Sequence, residues 1–211
     1  MIILGFDPGG TTGVSVLRIP DEGSTTAETD SVPSVDQAID WAVRQCHGET
    51  PTAAGIDTYL CWSTERSGWR PIDLKLRNAF PDVRASVFSS NSAYGAMAVQ
   101  GMAIALRLRE RWPDVILNET HPKVLYHALT SNNYMRDDVP TMTSWLQKKF
   151  SPEITCTINN EHECEAFIST WATWQGLSGN WTADLVPDLG GTQLLFPVGR
   201  VSYYWPHEVR A

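Results

Sequence analysis

The sequence predicts an α/β fold: a mixed sheet with antiparallel first strands and parallel later ones, flanked by helices. Three observations predict it. Apolar runs alternate with helical patterns along most of the 211 residues, as strands and helices do in α/β chains. The first two runs, residues 2–6 and 14–19, are separated by the turn signal Asp7-Pro8-Gly9-Gly10, which makes them a hairpin. Later strand candidates are separated by helix-length segments, as parallel crossovers require.

Each element follows in order. Residues 25–32 suit a third strand after a polar stretch rich in Asp, Ser, Thr and Gly. Residues 34–47 form a helix: Ser34 can cap it, and Val35, Ala38, Ile39, Ala42 and Val43 make one apolar face. Residues 53–57 are a buried strand ending on Asp57, followed by a polar, aromatic loop over 58–72. The next helix begins at Pro71, a residue suited to a first helical position. Residues 83–90 suit a strand, 94–111 a long helix ending before Pro113, and 115–119 a buried strand ending on Glu119. A short helix starts at Pro122, another spans 139–150, and 161–177 is the last. The chain is expected to form one domain over residues 1–211, with 178–211 an extension packed on it.

Composition excludes several classes. Apolar residues make up 42% of the chain, enough for a core and against disorder. No run reaches the roughly 18–20 apolar residues of a membrane span, and the start, MIILGFDPGG, lacks the basic leader of a signal peptide. Cys46, Cys61, Cys156 and Cys164 form no CxxC pair, so a zinc knuckle is not expected. Reduced thiols in a cytoplasmic protein, with no membrane partner, account for them. The net charge is −8 but uneven: −7 over residues 1–60, +4 over 61–150 and −5 over 151–211. An acidic site bordered by a basic region fits that pattern, as does an ordinary mixed surface.

Three apolar strands end on an acid, Asp7, Asp57 and Glu119, and an acid-rich helix carries Glu165. In α/β sheets, sites gather at the carboxyl ends of strands. Carboxylates brought together repel unless a cation neutralises them, and Mg²⁺ or Mn²⁺ suits oxygen ligands. Such a site suits phosphodiester hydrolysis by a two-metal-ion mechanism, with activated water attacking phosphate.

The run GFDPGGTTGVSVL resembles the first strand and turn of RuvC-type Holliday junction resolvases. The segments AGIDTYL, SGWRPIDLKLR, NETHPKVLYHAL and EHECEAFISTWA resemble, in order, a group of predicted nucleases with a ribonuclease H-like fold, domain-of-unknown-function family 429. The resemblance implies a ribonuclease H-like sheet, a nucleic-acid partner and metal-binding roles for Asp7, Asp57, Glu119 and Glu165. It further implies a second ligand or base at His162, which shares a helical face with Glu165. That family usually has Asp where this chain has Glu165. Dimers are frequent among resolvases, so a homodimer is a further expectation.

Each residue also has a plain structural role open to it. Asp7 can cap its turn, Asp57 can sit in an Asx turn, and Glu119 can pair with His121 or Lys123. His162 and Glu165 can belong to a solvated helix face. Arg66, Arg70 and Lys123 can bind phosphate or be ordinary surface cations. Trp69, with Trp62, can stack on a base, whereas Trp171, Trp174 and Phe167 have the spacing of core residues packed on the sheet. Two further functions stay open. DPGGTTG also resembles the phosphate hairpin of actin and sugar-kinase phosphotransferases, although 211 residues are too few for that two-domain fold; a second DLGGT at Asp188 follows no apolar strand. A non-catalytic nucleic-acid-binding module on the same fold is the other.

Overall fold

The computed structural model describes residues 1–92, 95–134, 138–149, 154, 156–189 and 193–209. In chain order the elements are β1 (Ile2–Asp7), β2 (Thr12–Arg18), β3 (Thr26–Val32), α1 (Val35–Gln45), β4 (Ala53–Ile56), β5 (Trp62–Ser63), α2 (Pro71–Ala79), α3 (Gly95–Arg111), β6 (Ile116–Glu119), α4 (Pro122–Thr130), α5 (Val139–Lys149), α6 (Glu161–Leu177), β7 (Ala183–Asp184), β8 (Leu194–Leu195) and β9 (Tyr204–Trp205).

The central sheet has the order β3-β2-β1-β4-β6. β1, β2 and β3 form an antiparallel meander, while β4 and β6 run parallel to β1. The mixed sheet expected from the sequence is therefore present. Ser34 caps α1 by accepting from the Gln37 amide, and Pro71 opens α2.

Strand alternation divides the core in two. Ile2, Leu4 and Phe6 of β1, with Val14, Val16, Ala54, Ile56 and Leu117, pack against α1 and α3. The residues between them face α6. There the sheet presents Gly5, Gly13 and Gly55, and a Cβ on any of them would strike α6: Thr170 and the Ala166 carbonyl above Gly5, the His162 carbonyl above Gly13, the Ser169 carbonyl above Gly55. The helix answers with small hydroxyl side chains. Thr120 and Ser169 hydroxyls meet at 2.7 Å, and Asn118 Nδ2 donates to Thr173 Oγ1 at 3.0 Å.

Trp171 is buried, as its spacing suggested, but its edge-on partners are Trp145 of α5 and Trp181 of the chain beyond α6. That later segment returns to the sheet beside β6, where Ser202 donates to the Leu117 carbonyl and accepts from the Glu119 amide. β8 pairs with β5, and β9 with β7.

Residues 83–90, expected as a strand, are not one. Pro81–Ser86 form a 3-10 helix, and Arg77 Nη1 donates to the carbonyls of Arg84 and Val87. The Phe88 amide and carbonyl both bond to the Tyr59 hydroxyl, so no ladder partner takes them. The end of the DLGGT run lies outside the described residues, as do Tyr94 and Phe150 from the ends of two expected helices.

Candidate metal centre

Strand parity brings Asp7 and Asp57 together. Asp7 follows Ile3 and Gly5 on the α6 side of β1, and Asp57 follows Ala53 and Gly55 on the same side of β4. The Asp57 amide donates to the Phe6 carbonyl at 2.9 Å, which extends the β1–β4 ladder to both acids. Asn160 caps α6 by accepting from the Glu163 amide, and the first turn of the helix sits over Gly13. Glu165 then reaches down to the two aspartates. One carboxylate oxygen from each of Asp7, Asp57 and Glu165 lies within 4.8 Å of the others.

Burial without full compensation raises all three acids. The Asp7 carboxyl is pushed up by burial and drawn partly back by His162, whose Nδ1 is 2.7 Å from Oδ2. Asp57 is pushed well above the usual range by burial, then by Glu165 and Asp7. Glu165 is pushed up to about 7 by burial and Asp7, against the pull of Lys123. The nearby Glu165 carboxyl makes ionising Asp57 costlier still, so the cluster favours retaining a proton. Asp7 in turn raises His162, chiefly through their hydrogen bond.

Lys123 belongs to this centre rather than to an outer phosphate-binding surface. Its Nζ is 3.3 Å from Glu165 Oε1, and the acids keep it charged against the cost of burial. Tyr134 also lies beside the cluster, its hydroxyl donating to the Glu161 carbonyl at 3.4 Å and its proton held more tightly by burial and the nearby Glu165, a placement no sequence motif signals. His121 lies beside the group, its Nδ1 3.9 Å from Asp57 Oδ1. It follows Glu119-Thr120 in the sequence, two residues beyond an acid that faces the other way.

Glu119 does not join the cluster, contrary to expectation. Thr120, not Glu119, extends the register with Asp57, since its amide donates to the Ile56 carbonyl at 3.0 Å. Asn118 and Thr120 point at α6, so alternation sends Glu119 the other way. Its carboxylate accepts from Arg70 Nη2 at 2.6 Å, from Arg70 Nη1 at 2.9 Å and from the Leu60 amide at 2.8 Å.

Arg70 is the second correction. It is fully buried, so it offers nothing to a nucleic acid. Besides Glu119 it holds both oxygens of Asp73, at 2.9 and 2.7 Å, and its guanidinium stacks on Tyr59. Burial alone would favour losing its charge; Glu119 and Asp73 outweigh that. Arg66 is exposed on the loop after β5, and Trp69 is half-buried beneath the Arg77 guanidinium, 5.1 Å from the ring centre.

Three oxygen donors from three separate elements fit a hard divalent cation, which takes carboxylate ligands. All four cysteines are buried free thiols, and among the described residues no helix is long and apolar enough to cross a membrane. No protein-family model matches the chain, and no curated protein does. The likeness to family 429 therefore rests on the quoted motifs alone. Among solved structures the chain is similar to Thermus thermophilus RuvC, at 12% identity over 85% of this chain and 97% of that one, with a TM-score of 0.50. At that identity the likeness concerns architecture, and the chain has the ribonuclease H-like α/β fold of RuvC.

Proposed function

We propose that the chain is a metal-dependent nuclease, with Asp7, Asp57 and Glu165 holding Mg²⁺ or Mn²⁺. The observation that carries this is the meeting of three carboxylates, within 4.8 Å, at the carboxyl end of β1 and β4. Nothing in folding requires such a concentration of acid, and burial makes it costly. The RuvC-like fold supports the same chemistry. A bound divalent ion would supply charge stabilisation at phosphate and an activated water for phosphodiester hydrolysis.

The chain's own residues divide the remaining work. His162 fixes the orientation of Asp7 and is one-third exposed, so its ring can exchange a proton with solvent at the mouth of the site. Lys123 offsets part of the negative charge before any substrate arrives. Glu119 and Arg70 hold the loops after β6 and β4 together and take no direct part. The decisive experiment is a cleavage panel in Mg²⁺ and Mn²⁺ over single-stranded, duplex, junction and hybrid substrates. Cleavage that requires the metal supports the proposal, and no cleavage of any of them overturns it.

A second possibility is a non-catalytic nucleic-acid-binding module. The ion pair of Lys123 with Glu165 favours it, because that ammonium already supplies a cation inside the cluster. Nucleic-acid binding with no hydrolysis across the panel would select it.

A further inference from the structure

A cavity of about 570 Å³ opens directly beside the carboxylates. Asp57 forms part of its wall, as do Lys123 and His121, so the cavity and the acid cluster share a boundary. The rest of the lining combines the rings of Phe88 and Tyr134 and the apolar Val83, Met97 and Ala98 with the polar Asp82, Ser86 and Asn133. Ligand cavities usually run from about 300 to 1,000 Å³, so this one suits a single nucleotide.

His121 adds a chemical requirement. Its Nδ1 is 2.5 Å from the Thr120 carbonyl, and a carbonyl can only accept, so Nδ1 carries the hydrogen. In the neutral ring Nε2 is then an acceptor, and it is buried with no hydrogen-bond partner among the described residues. A buried acceptor without a donor is costly. The ring itself is held edge-on by Tyr59, centroids 5.0 Å apart, and packs at a tilt against Tyr203, so it cannot swing out to water without breaking those contacts.

We propose that this cavity receives one unpaired nucleotide of the substrate strand. Its base stacks against Phe88 and Tyr134, and an N–H of the base or O–H of the sugar donates to His121 Nε2. The adjoining phosphate then lies at Asp57. Aromatic walls recognise any base by its face, whereas a base stacked inside a duplex cannot enter such a pocket without leaving the helix. The substrate class is therefore nucleic acid with a single-stranded or unpaired position next to the scissile phosphate. This proposal rests on the nuclease function above but concerns binding, so it is tested by binding.

Fluorescence anisotropy in Ca²⁺ would compare short single-stranded DNA and RNA with a fully paired duplex of the same sequence. Single strands should bind more tightly. Phe88→Leu should weaken single-strand binding about fivefold or more, the size of a lost stacking contact, with duplex binding unchanged. On the wild-type protein, strands carrying one abasic position, moved stepwise, should show one position that costs as much. That arm needs no variant to fold. Equal affinity for single strand and duplex, or an abasic series with no sensitive position, overturns the proposal. So does a free mononucleotide that competes as well as the strand, since the pocket would then serve nucleotides and not nucleic acid. Cleavage without strand preference would sink the pocket alone; strand preference without cleavage would sink the nuclease alone.

Discussion

His162 Nδ1 stands 2.7 Å from Asp7 Oδ2, so the first turn of α6 is tied by one hydrogen bond to the last residue of β1. Helix and strand thereby meet at the residue on which the proposed chemistry depends.

Asp7→Asn should abolish metal-dependent cleavage, by orders of magnitude, while the metal-free melting temperature stays level or rises. The amide keeps the shape and can still bond His162, but it removes the carboxylate whose charge opposes ionisation of Asp57 and Glu165. If Asp7 merely capped its turn, activity would survive. Wild-type cleavage by the variant would strike Asp7 from the site.

Mn²⁺ should stabilise the protein, and more so at pH 8 than at pH 5.5. Carboxyls must release their protons before they can serve as ligands, and Glu165 holds its proton up to about 7. At 100 times the dissociation constant, ligand linkage adds about 2.7 kcal/mol. A melting temperature unmoved by millimolar Mn²⁺ at both values would count decisively against a metal centre.

In EDTA, stability should fall as pH rises from about 4.5 to about 7. Across that window folded Glu165 keeps a proton that the unfolded chain has released, so the folded state binds more protons and loses ground as pH climbs. Asp7 and Asp57 are raised in the same sense. His162, raised by Asp7, adds stability that is full below about 6.5 and lost above its own folded value. The Glu165 share is up to about 3 kcal/mol. Denaturant titrations at pH 5 and pH 8 measure the slope, and Glu165→Gln should flatten it. A profile that rises through this range would show the acids are not held as described.

Arg70→Met should destabilise the fold by about 3–5 kcal/mol, because it strands Glu119 and Asp73 as unpaired buried acids. Were Arg70 a nucleic-acid contact, the same change would weaken binding and leave stability untouched. Urea unfolding beside oligonucleotide binding separates the two.

Much of this arrangement was legible in the sequence. The hairpin, the capped α1 and the strands ending on Asp7 and Asp57 follow from local patterns, because apolar alternation and turn residues are local signals. The failures were of partner and parity. Glu119 ends an apolar strand as Asp57 does, yet the register puts Thr120 opposite Asp57, and a one-residue offset reverses the side chain. Arg70 reads as a loop cation until Glu119 and Asp73, distant and near in sequence, are seen to enclose it. Residues 83–90 carry strand-forming types, but Pro81 and the Tyr59 hydroxyl commit their backbone elsewhere. His121 lies two residues beyond Glu119 and Tyr134 in no quoted motif, so only the folded chain brings them to the cluster.

The glycines beneath α6 have a consequence for metal selectivity. Helix backbone already rests against Gly5, Gly13 and Gly55, so the gap between the layers stands at its floor. A helix that cannot descend cannot make good a shorter side chain above the aspartates. Glu165→Asp would pull one donor back by about one carbon–carbon bond, roughly 1.5 Å, with no settling of α6 to recover it. At the proposed metal centre, side-chain length at this position would then gauge the size of ion admitted, and altering the preferred metal would begin there.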